Sequence, residues 1–171
     1  MTDNFKSDFK DTETVRKYAN NYNIYSLLFA LGIFIIIVSI IPYLLISTPK
    51  IEERILPSLI TALIGLVMSI ASNIARRKLK EKQLAKYTVA AVEFIDLEKK
   101  AIKKNFRKDL VISILLIILV PFIYYLIHTQ ARLIPDNSRK YFNSVLVLIL
   151  AIAIFIILYS KGKKDAYNNL I

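Results

Sequence analysis

The chain has 171 residues, 56% of them hydrophobic, and a mean hydropathy of +0.49. That leaves too few polar side chains to clothe a water-soluble domain and points to a membrane protein. The net charge is +11, and the absence of cysteine excludes a disulfide framework and thiolate chemistry.

In chain order, residues 1–24 are polar and read as a cytoplasmic N-terminal segment rather than a signal peptide. The uncharged run "YSLLFALGIFIIIVSIIPYLLI" (25–46) follows, and "ILPSLITALIGLVMSIASNI" (55–74) completes a first transmembrane hairpin over 25–74. Residues 75–109 form a basic cytoplasmic linker without Pro or Gly, expected to be helical in large part. In this linker Asp96 is placed to cap a helix running into the third span, with "TVAAVEFI" (88–95) as a connection or a surface helix. "LVISILLIILVPFIYYLI" (110–127) and "YFNSVLVLILAIAIFIILYS" (141–160) give a second hairpin over 110–160, and 161–171 is a cytoplasmic tail. Each run approaches the roughly 20 apolar residues that cross a bilayer as a helix. Their continuity excludes the alternation of a β-barrel. The fold class expected is an all-α integral membrane protein with four transmembrane helices.

Basic residues set the orientation. Segments 1–24, 75–109 and 161–171 together hold nineteen Lys and Arg, against five in the two short loops on the other side. By the positive-inside rule both termini and the 75–109 linker are cytoplasmic, and the chain is a multi-pass membrane protein. The dense run "IARRKLKEK" (74–82) is then an inner anchor. Arg76, Arg77, Lys78, Lys80 and Lys82 are expected at lipid headgroups, and so are Lys103, Lys104, Arg107 and Lys108 ahead of the third span. A nucleic-acid role is excluded, because the run is short, tied to the membrane and without a recognition fold.

"SIIPYLLI" (39–46) and "ILVPFIYY" (118–125) each place a proline before an aromatic near the outer end of a span, and the second spans also align. The two hairpins therefore read as a parallel repeat. Pro42 and Pro121 are expected to kink or end their helices. In the second span Ser58, Ala62, Gly65, Ser69 and Ser72 recur at steps of four and three, which makes one small-residue face for helix packing. Gly65→Leu should loosen that packing.

No Asp, Glu, Lys, Arg or His lies inside a span, which argues against a pump or an ion-coupled transporter. One histidine (His128), no cysteine and no Gly-rich phosphate loop leave no catalytic, cofactor or metal site, so no enzyme is expected. The leading expectation is a non-enzymatic interaction protein related to immunity against, or sensing of, a membrane-active peptide. A small transporter or channel subunit is the alternative. The partners expected are anionic lipid, a protein or peptide, and further copies of the chain.

"YSLLFALGIFIIIVSIIPYLLI", "AVEFIDLEKKAIKKNFRKDLVI" and "LAIAIFIILYSKGKKDAYNNL" together resemble the four-helix membrane region found downstream of Xre-type helix-turn-helix domains in Gram-positive bacterial proteins. The resemblance implies a membrane region of two repeated hairpins. The helix-turn-helix is missing, since residues 1–24 are too short to hold one, so no DNA-binding role follows. In size and topology the chain is also similar to bacteriocin immunity proteins.

Overall fold

A computed structural model describes residues 2–81, 89–129 and 135–170, and everything regular in them is helix. The order is α1 (Thr2–Val38), α2 (Ile40–Leu45), α3 (Ile51–Glu81), α4 (Val89–Thr129) and α5 (Asp136–Asn168). Four stretches are long and apolar enough to cross a membrane: Asp11–Leu45, Ile51–Glu81, Ala91–Thr129 and Ser138–Asn168. The chain is a multi-pass membrane protein of the all-α class.

The helices overrun the bilayer. At 1.5 Å per residue α1 is about 56 Å long and α4 about 62 Å, against a hydrocarbon core of about 30 Å. The boundary expected at residue 24 therefore falls inside α1, and Asp96 lies within α4 rather than at its cap. Residues 89–95 are the start of α4 and not a separate connection.

Packing follows a row, α3–α1–α5–α4. Helix α1 lies against α3 and α5, and α4 packs chiefly on α5. Among the described residues no Cα of α3 comes within 8 Å of one in α4 or α5. Each hairpin, α1 with α3 and α4 with α5, is packed on itself, and the two meet through α1 and α5. Short α2 contacts both α3 and α5, so it bridges the space between them at the end remote from the basic segments.

The two prolines act differently. A proline at position 42 cannot donate to the Val38 carbonyl, and the long helix stops at Val38. Helix α2 is then held by α3: the Tyr43 N–H donates to Ser58 Oγ at 3.0 Å, and Arg54 donates to the Tyr43 carbonyl at 3.4 Å and lies over the Tyr43 ring. Pro121 sits inside an unbroken α4. No contact with α3 is available there to draw the chain aside, so the two hairpins are not equivalent at this point.

A water-type hydrophobic core lies at the basic end, outside the spans' middle. Val15, Tyr18, Ala19 and Tyr22 of α1 pack with Ala91 and Ile95 of α4 and with Ala166, Tyr167 and Leu170 near the end of the chain. Arg16 lies over the Phe94 ring at 5.1 Å and Lys164 over Phe106 at 4.7 Å, tying α4 to α1 and to α5.

Candidate functional site

Because α3 and α5 both flank α1 without a close backbone approach to each other, a cleft runs between them with α1 as its floor. At the basic end it widens into a cavity of about 380 Å³. Phe29 and Leu158 give it apolar lining, and Tyr22, Asn73, Gly162 and Asp165 also border it. Four cationic side chains face it: Arg76, Arg77 and Lys80 from the last turns of α3, and Lys161 from α5. Among the described residues Asp165 is the one carboxylate in the lining.

Arg76 is the organised member. Its guanidinium donates to Asn73 Oδ1 at 3.1 Å and lies 4.1 Å over the Phe29 ring. Its Nε is buried and has no hydrogen-bond acceptor. Stacking and one hydrogen bond thus fix the plane of the fork while leaving donors unspent.

The basic residues expected at headgroups divide into two sets. Arg76, Arg77 and Lys80 face the cavity, whereas Lys78 borders a separate shallow depression with Tyr25, Ala75 and Leu79. Lys103, Lys104, Arg107 and Lys108 are exposed along α4, and Lys82 lies outside the described residues. The sequence run does not reveal Lys161 as a neighbour of Arg76, since it comes from another helix eighty-five positions later.

The small-residue stripe of α3 is distributed as follows. Gly65, Ser69 and Ser72 are the buried residues of that helix, while Ser58 and Ala62 are half-buried. Gly32 of α1 faces Gly65 and Ser69 so closely that a Cβ at either glycine would fall within 3.0 Å of the other helix. Gly162 of α5 meets Ser26 of α1 with equally little room. Thus α1 carries the two close crossings, at Gly32 and Ser26, that the pattern of α3 alone leaves unseen. Ser72 Oγ donates to the Met68 carbonyl at 2.6 Å, so this hydroxyl is satisfied within its own helix. Where α4 meets α5, Ser160 Oγ donates to Asp109 Oδ2 at 2.6 Å.

Among the described residues no three His, Asp or Glu side chains gather as a metal site would require. A model of the cation efflux transmembrane domain matches residues 23–168, which covers the last three candidate spans and the first from residue 23 onward. The chain belongs to the cation efflux transmembrane domain family. No curated protein and no solved structure matches it. The family differs from the Xre-associated region suggested by the sequence pattern, and what the two have in common is a multi-helix membrane region. It favours transport over immunity or sensing as the reading of the chain.

Proposed function

We propose that the chain is a transporter-type membrane subunit, with cations as the first solute class to test. The observation that carries this is the family match over residues 23–168. Two physical features shape the proposal. The cleft mouth carries four cations against one carboxylate and so repels a cation. The middle of each span holds no ionisable side chain to replace an ion's hydration shell. A cation path is therefore not expected through the basic end of the α3–α5 cleft. In this reading the nineteen basic residues of 1–24, 75–109 and 161–171 face the cytoplasm.

The test is reconstitution of the full chain into vesicles loaded with indicators for monovalent and divalent cations. Flux above protein-free vesicles, rising with the amount of protein, is the expected result. Flux equal to that of empty vesicles across the whole cation set would remove the proposal. Orientation has its own check, made easy by a cysteine-free background. In intact cells an impermeant maleimide should label Glu52→Cys, and it should reach Lys100→Cys only after lysis; the reverse pattern would invert the topology.

A further inference from the structure

We propose that the cavity at the basic end of the α3–α5 cleft binds a phosphate-bearing anion, with Arg76 as its planar anchor and Arg77, Lys80 and Lys161 as its surrounding charges. The inference goes beyond the transport reading and does not depend on it.

Three observations converge. First, the cavity concentrates charge of one sign: among the described residues four cations from α3 and α5 line it, and Asp165 is the one acid. Like charges held together across a gap repel, and an anion between them relieves that repulsion. Second, the guanidinium of Arg76 is presented in a fixed plane. Asn73 and Phe29 hold it, and its Nε is buried without an acceptor. A planar fork matches two phosphate oxygens at once, which an ammonium cannot do. Third, the size and layering suit an esterified phosphate. A volume of about 380 Å³ holds a phosphate group with a short polar stem, and Leu158 adds an apolar residue to the lining.

A plain helix-end explanation covers less. Cations near a helix C-terminus complement the dipole, and long ones reach headgroups from any side of the helix. That accounts for Lys78 and for the exposure that Arg77, Lys80 and Lys161 share with it. It does not account for Arg76 being turned inward over α1, nor for Lys161 arriving from α5 to face the same space.

The phosphate could belong to a lipid headgroup or to a soluble phosphate, and the experiment separates them. The full chain, purified in non-ionic detergent and stripped of lipid, is titrated in one arm with phosphatidic acid and read by native mass spectrometry. In the other arm it is titrated with inorganic phosphate and read by phosphorus NMR line broadening. Binding in the lipid arm alone assigns a headgroup site, and binding of inorganic phosphate assigns a soluble-phosphate site. In either arm Arg76→Gln should weaken binding about tenfold or more, as expected for loss of a charge-assisted hydrogen bond. Arg76→Lys should recover only part of that loss, because charge returns without the fork. The Lys103→Gln/Lys104→Gln pair, which removes exposed charge outside the cavity, should change binding by no more than about twofold, as for screened surface charges. If Arg76→Gln does not fold, Lys161→Gln at the rim takes its place. No binding in either arm, or equal weakening by the cavity and α4 variants, overturns the site. A chain that binds phosphate but passes no ion would keep this site and lose the transport reading.

Discussion

The two ends of the long helices are held together by different physics. At the basic end α1, α4 and α5 bury Val15, Ala91, Ile95 and Ala166 completely, and Tyr18, Tyr22, Tyr167 and Leu170 almost so. Large side chains meet there as in a water-soluble protein, since water rewards removal of apolar surface. Along the spans the large residues turn outward: Leu63, Ile64 and Val67 on α3, and Leu115, Ile118 and Phe122 on α4, are all exposed. What the helices turn toward one another is small, namely Ser26, Gly32, Gly65, Ser69 and Gly162. Lipid is as apolar as leucine, so burying leucine gains nothing there, and close backbone approach is the remaining source of affinity.

Ile95→Ala should produce the largest change. Its side chain is wholly buried, and truncation removes transfer free energy and leaves a cavity, at a cost of about 2–5 kcal/mol. Leu115→Ala, at a site 63% exposed on α4, is the matched control and should leave the unfolding midpoint in detergent nearly unchanged. Equal losses at the two sites would show that the spans, too, are stabilised by burial of large side chains. Next comes Ser160→Ala, which removes the donor to Asp109 and should cost about 1.5–3 kcal/mol, as for a hydrogen bond to a charged group. Its partner Ser160→Thr keeps the hydroxyl and should recover part of the stability. Gly65→Leu drives a side chain into the Gly32 and Ile36 backbone, and overpacking of this kind costs about 1–3 kcal/mol. Unchanged thermal stability of that variant would mean that α1 and α3 are not held by their close approach.

The spans were plain in the sequence because bilayer thickness imposes a length that composition alone reveals. The small face of α3 was visible as well, since Ser58, Ala62, Gly65, Ser69 and Ser72 keep helical spacing within one element. The row of helices was not, because hydropathy records lipid exposure and says nothing of which helix neighbours which. The core at the basic end left a trace that polar composition masked. Val15, Tyr18, Ala19 and Tyr22 follow steps of three, one and three, the stripe of an amphipathic helix, within a segment that otherwise reads as a hydrophilic lead-in. The basic cavity was half legible: three of its cations fall within "IARRKLKEK", but Lys161 and the aromatic ring of Phe29 come from other helices. A charge run shows how much charge a helix carries, and only the packing shows which of those charges face inward.

The smallest expected effect probes the boundary between the two regimes. Arg16 is exposed on α1 and lies 5.1 Å from the centroid of Phe94 on α4, at the edge of the basic-end core. A cation over an exposed aromatic face is worth about 0.5–1 kcal/mol. Arg16→Gln should therefore lower stability by that amount in detergent, and Phe94→Leu should lower it through the same contact. Their double variant should lose less than the sum of the two, because each change alone already removes the pair. Strict additivity would separate the two side chains energetically and leave the docking of α4 on α1 to Ile95, Ala91 and their apolar neighbours. Coupling would mean that the water-facing rim contributes to that docking, as is usual for a soluble core and has no counterpart where helices meet through glycine in lipid.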